Sequence, residues 1–273
     1  MIGGNYSKKL RLLLKGRRSG QVLLIVIMLI AVVLTVVLTV TFTSRTETQL
    51  TKLEEENQKA LAAAEAGIEA ALKAGASIAD FSGLNVPEGF SGSATVTPAT
   101  GTEFVSPFLP AGQQYTFYLS DYPGYANPFT GALRVHYGTA SGQDCNAIAL
   151  EITIVSGTAS PYTFTRYIAD TGNKLTSNQN DVGVAGSPIV AGQDFSCRTS
   201  NITPPANSRF MLVRTISAGT KVGFSSQGNP APSFNSQGKY IDSEAESPTG
   251  VTKIVQLFQS NPQIPADFFV TSF

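Results

Sequence analysis

Residues 21–40 read QVLLIVIMLIAVVLTVVLTV and carry no charge. As an α-helix at about 1.5 Å per residue, such a run is about 30 Å long, the thickness of the hydrocarbon layer of a bilayer. Gln21, Thr35 and Thr39 are its only polar residues, and a helical threonine can return its hydroxyl to a carbonyl one turn back. The length and uniformity point to a membrane span rather than a buried core helix. A secretory signal has a shorter apolar core, about 7–15 residues, and ends in a small-residue cleavage site. Here more helix-forming sequence follows instead.

Charge orients the span. Lys8, Lys9, Arg11, Lys15, Arg17 and Arg18 precede it with no acid among them, while Arg45, Glu47, Lys52, Glu54, Glu55 and Glu56 form a mixed set behind it. Basic flanks stay in the cytoplasm, so the expected layout is a basic leader (1–20) inside and the C-terminal body outside. The formal net charge of zero is therefore a sum of opposites: residues 21–273 hold 13 basic against 19 acidic residues. An acidic body argues against nucleic-acid binding, which needs a basic face to neutralise phosphates.

The helix is expected to continue past the bilayer. Residues 44–77 contain no proline, and no glycine before Gly67. Leu50, Leu53, Leu61, Ala64, Ile68 and Leu72 recur mostly three or four apart, the spacing of one helical stripe. Lys52/Glu56, Glu55/Lys59 and Glu69/Lys73 are spaced to meet on a helix, and KALAAAEAGIEAALKAGA has high helix propensity. One rod from about Gln21 to about Ala76 is predicted, within a helical region spanning 21–78. Its second half lays an alanine-rich stripe on a close partner surface. The heptad pattern is too short for a coiled-coil stalk.

Beyond Gly75 the texture becomes β. Strands are predicted near 93–97, 114–120, 132–138, 147–156, 162–169, 209–216, 220–225, 239–242, 251–259 and 268–273. Several alternate apolar and polar residues, as half-buried strands do; Leu150, Ile152 and Ile154 against Glu151 and Thr153 are one example. The fold class expected is α+β: a long N-terminal membrane-spanning helix followed by an all-β, sandwich-like region over 79–273. The polar stretch near 172–190 is either a long loop or a seam between two β subdomains. Cys145 and Cys197 are the only cysteines. They allow one intrachain pairing, which export would favour as a disulfide; two buried thiols are the alternative.

The N-terminal region resembles the type IV pilin and pseudopilin superfamily. The resemblance rests on the basic leader ending Arg17-Arg18-Ser19-Gly20, the uncharged run from Gln21, and its unbroken helical extension. LAAAEAGIEAAL at 61–72 is similar to minor pilins of the pilus-assembly type. The match covers about 60 of the 273 residues. It implies cleavage by a prepilin peptidase between Gly20 and Gln21, methylation of the new N-terminus, and packing of the helix against other pilin-like subunits. Two positions depart from the pattern. Gln21 stands where the family usually has an aromatic residue or methionine, and Ile25 where it usually has a glutamate that pairs with a neighbour's amine. The loss of that acid favours a minor or initiating role over a major pilin.

Chemistry elsewhere is sparse. His136 is the only histidine, and its place in a strand suits a structural role. Zinc would need more His and Cys than the chain has. There is no EF-hand loop, Walker motif or dinucleotide fingerprint. Asp170 and Asp181 flank an asparagine-rich loop, either solvated or weakly calcium-binding. Asn201-Ile202-Thr203 matches a glycosylation sequon by chance. No catalytic, cofactor-binding or metal-ligating residue is assigned, and an enzyme is not expected. The leading expectation is a minor pilin-like structural subunit whose β head is displayed or aids assembly. The alternative is an uncleaved single-pass anchor carrying an adhesin-like domain at the cell surface, and a tethered enzyme ranks third.

Overall fold

A single helix, α1, runs from Arg18 to Ala74, 57 residues without a break. At about 1.5 Å per residue it is a rod of about 85 Å. It stops at Gly75, whose φ of +68° suits a residue without Cβ and whose N–H donates to the Ala71 carbonyl at 2.9 Å, a left-handed C-terminal cap. The computed structural model describes residues 18–138, 144–175, 180–186 and 188–265.

The rest of the described chain is β-rich. In chain order the strands are β1 (Ser91–Pro98), β2 (Glu103–Val105), β3 (Gln114–Tyr118), β4 (Ala132–Tyr137), β5 (Leu150–Ser156), β6 (Thr163–Ala169) and β7 (Gly183–Ala185). They continue as β8 (Ile189–Val190), β9 (Gln193–Asp194), β10 (Cys197–Thr199), β11 (Ser208–Thr215), β12 (Gly223–Gln227), β13 (Gly238–Glu246) and β14 (Thr252–Ser260). A three-stranded sheet, β1-β13-β14, packs on α1. A five-stranded sheet, β2-β12-β4-β10-β7, and a four-stranded sheet, β3-β11-β5-β6, enclose the main core. All of these ladders are antiparallel.

The strand order bears on the two readings of residues 172–190, a long loop or a seam. The sandwich is inserted between β1 and β13, neighbours in register from Ser91↔Glu246 to Pro98↔Lys239. Its boundaries therefore lie near residues 98 and 238. The stretch 172–190 is internal to the sandwich, because it carries the chain from β6 in one sheet to β7 in the other.

The sandwich core is aromatic and branched. Phe117 and Phe224 stack with centroids 3.9 Å apart, and Phe234 meets Phe117 edge-on at 5.0 Å. Leu133, Ile148, Ile152, Ile154 and Met211 are fully buried around them. β5 departs from its half-buried expectation: all seven residues are buried, Glu151 and Thr153 included. It lies between β11 and β6, and Arg214 on β11 approaches Glu151 to 4.0 Å. The predicted start of that strand is instead a 3-10 turn, Cys145–Ala147, capped by Asp144 accepting from the Asn146 amide. Short strands β2, β7, β8, β9 and β10 have no counterpart among the expected strands. The expected strand at 268–273 lies outside the described residues.

Glutamine side chains weld the two units. Gln237 is buried; its Oε1 accepts from the Tyr118 amide and its Nε2 donates to the Tyr118 carbonyl, both at 2.8 Å. Two residues along β3, Gln263 Oε1 accepts from the Thr116 amide at 2.7 Å. These amides stand in for a missing strand on the free edge of β3, where unpaired backbone would otherwise be costly.

Candidate assembly surface

No described residue covers the first half of α1. Gln21–Ala74 contains an 18-residue window of mean hydropathy 3.3, none of it buried, which makes it a candidate membrane span. Val22 to Phe42 present exposed Val, Leu, Ile, Met and Phe side chains on every face. Their polar neighbours are neutralised internally. Thr35, Thr39, Thr41, Thr43, Thr46, Thr48 and Thr51 each donate their hydroxyl to the carbonyl four residues earlier, at 2.7–2.9 Å. The helix thus offers methyls rather than free hydroxyls well beyond Val40, which suits a nonpolar surrounding.

Gly20 and Gln21 lie in the first turns of α1. Ile25, where an acid would mark a functional intramembrane charge, is 57% exposed.

The second half of α1 meets the three-stranded sheet through small residues. Ala63, Ala64, Gly67, Ile68 and Ala71 are buried against Phe81, Ala94, Ile241 and Ala245. A Cβ at Gly67 would collide with the Phe81 ring and Ser243 Oγ. The expected stripe is therefore displaced by roughly a quarter turn of helix at 100° per residue. Ala64 and Ile68 belong to the seam and Leu72 is partly buried against it, but Leu50, Leu53 and Leu61 are 60%, 48% and 42% exposed. The reason is steric. A sheet approaches a helix most closely along its alanines and glycines, and leucines would hold it off.

Charges on this half also depart from the spacing. Glu55 and Lys59 pair at 2.6 Å, and the Lys59 hydrogen bond and charge hold the Glu55 carboxyl below its usual range. Glu56 does not pair with Lys52; it accepts from Thr249 Oγ1 and, at 3.5 Å, from Ser247 Oγ on the β13–β14 turn. No ion pair joins Glu69 and Lys73 among the described residues.

In the sandwich, Cys145 and Cys197 form a disulfide with Cα atoms 5.4 Å apart. It ties the turn before β5 to β10. His136 is buried beside Phe195, and its Nε2 lies 2.7 Å from Ser225 Oγ. That Ser–His pair could not be foreseen from a separation of 89 residues; only the strand pairing of β4 with β12 brings it together. Burial first, then Arg134 and Arg198, push the imidazole down to about 4, so it is neutral near pH 7. No carboxylate partners its Nδ1 among the described residues, so the pair lacks the orienting third group of a nucleophile–base site. Asn201 of the sequon accepts from Arg134 Nε at 2.7 Å, and Ile202 is buried. No group of three or more potential His, Cys, Asp or Glu ligands occurs among the described residues.

No family model matches the chain, and no curated protein matches it.

Proposed function

We propose that this protein is a minor pilin-like structural subunit of a type IV pilus or a related secretion pseudopilus. On this reading the basic leader lies in the cytoplasm, α1 crosses the cytoplasmic membrane, and the β region stands outside. A prepilin peptidase cuts between Gly20 and Gln21. The matured helix then packs among the helices of other pilin-like subunits, and the β head is displayed or aids assembly.

The observation that carries this reading is the uneven cover on one unbroken helix. A lone anchor needs only a span of about 20 residues. Here the helix runs far past that length, is sheathed by sheet on one face near its end, and keeps Leu50, Leu53 and Leu61 outward on an adjacent face. Such a rod, apolar at the start and half-sheathed at the end, is suited to a bundle of like helices.

N-terminal sequencing and intact mass of protein extracted from cells with active prepilin peptidase test it. A chain beginning at methylated Gln21 is expected. A chain that still begins at Met1 would overturn the pilin reading and leave the single-pass anchored adhesin.

A further inference from the structure

We propose that the sandwich binds one calcium-class cation at Asp170 and Asp181, where the chain leaves β6 and returns as β7. Asp170 is 1% exposed. Its Oδ2 accepts from the Leu175 amide at 2.7 Å. Its Oδ1 is buried with no hydrogen-bond partner among the described residues, and no Lys, Arg or His forms an ion pair with either aspartate there. A carboxylate oxygen stripped of water and left unpartnered is strongly disfavoured. A cation beside this oxygen would supply the missing partner.

The surroundings supply further hard oxygens. Asp181 reaches in from the returning chain, its Oδ1 accepting from the Asp170 amide at 3.1 Å and the Gly183 amide at 2.8 Å. The Tyr137 hydroxyl on β4 is likewise buried and unpartnered among the described residues. The point a Cβ at position 183 would occupy lies 3.0 Å from the Asp170 amide nitrogen and 3.1 Å from both Asp181 Oδ1 and Tyr137 Oη, so Gly183 lets these groups converge. Burial raises the Tyr137 phenol to about 12, opposed first by the Thr171 side chain, with the negative fields of Asp181 and Asp170 adding smaller upward effects. Carboxylate and hydroxyl oxygens without imidazole or thiolate suit calcium rather than zinc.

The ion would tie β6 of one sheet to β4 and β7 of the other. It would sit beside the disulfide, since Thr171 Oγ1 donates to the Cys145 carbonyl at 3.0 Å. The proposal is independent of the pilin reading.

The test is calorimetric titration of calcium chloride into the chelator-stripped, detergent-solubilised full chain, with magnesium in excess. One calcium per chain is expected, with a rise in Tm that saturates as the site fills. Asp170→Asn and Asp181→Asn should each weaken binding by about tenfold or more, since affinity follows the charge of the ligand set, while Asp121→Asn should leave it unchanged. Terbium reads the wild type directly: tyrosine-excited emission that calcium displaces and that Tyr137→Phe dims is expected. Absence of stoichiometric calcium binding by the wild type would overturn the proposal. So would binding that survives both aspartate substitutions, or terbium emission that calcium leaves untouched.

Discussion

The two units of this protein are held together by opposite kinds of packing. Where α1 meets β1, β13 and β14, alanines and Gly67 set the approach, with Phe81, Ile68 and Ile241 as the large buried side chains among them. In the sandwich the contact is volume: Tyr115, Phe117, Phe224 and Phe234 fill the space between sheets, with aliphatic residues around them. Close approach gains dispersion over many backbone atoms but tolerates no added atom. A bulky core gains apolar burial and suffers most from deletion. The same substitution logic should therefore fail in opposite directions in the two units.

The largest expected effect is deletion in the sandwich. Phe117→Ala removes one partner of the central ring stack, at an expected loss of about 3–5 kcal/mol. Urea unfolding followed by near-ultraviolet circular dichroism measures it, while far-ultraviolet ellipticity follows α1. Coincident loss of both signals in the wild type would show that the two units unfold as one. Next is the cross-link: reducing Cys145–Cys197, or replacing both with serine, should cost about 2–4 kcal/mol in the sandwich and leave the helix–sheet unit unmoved. Addition should then break the other unit. Gly67→Ala inserts a methyl where Phe81 and Ser243 already stand, an overpacking cost of about 1–3 kcal/mol. The opposite test, Phe81→Ala combined with Gly67→Ala, should recover part of that cost; no recovery would refute the steric account of the seam.

The pH response is smaller. His136 is held near 4 in the folded chain, below its ordinary 6.5, so the unfolded chain takes up the proton first. This contribution is whole above pH 6.5 and is lost as pH falls from 6.5 through 4. It amounts to about 1–2 kcal/mol by pH 5 once partial solvent contact is allowed for. Comparing wild type with His136→Gln across that window isolates it from the carboxylates. Smallest of all, Leu53→Ser should change monomer stability by less than about 0.5 kcal/mol, because the side chain is half in solvent. On the proposed function it should nevertheless reduce recovery of the protein in sheared filament fractions.

The helix was legible because its signal is local: absence of charge, then absence of helix breakers, read directly along 21–76. The longer strands were legible for the same reason. The missed strands are short, and they exist because neighbours pair with them. Arg198 on β10, for instance, is placed by His136 on one side and Val184 on the other. The stripe on α1 was placed on the leucines because hydrophobic periodicity counts apolar bulk. The sheet selected for smallness instead, and an alanine carries little weight in such a pattern. Gln237 and Gln263 were invisible for another reason. A glutamine gives no sign in sequence that it will serve as a surrogate strand. The insertion itself depends on β1 pairing with β13, partners roughly 150 residues apart, a separation that no local pattern reports.

Inserting the sandwich within a hairpin-like frame has a mechanical consequence. The chain crosses between the units after Pro98, before Gly238 and after Ser260, and these three points stand together at one end of the small sheet, since Pro98 pairs with Lys239 and Gly238 with Ser260. A load on the sandwich is therefore shared by three strands drawn in the same direction. Such a load acts on the three strands together rather than peeling β1 from β13 one hydrogen bond at a time.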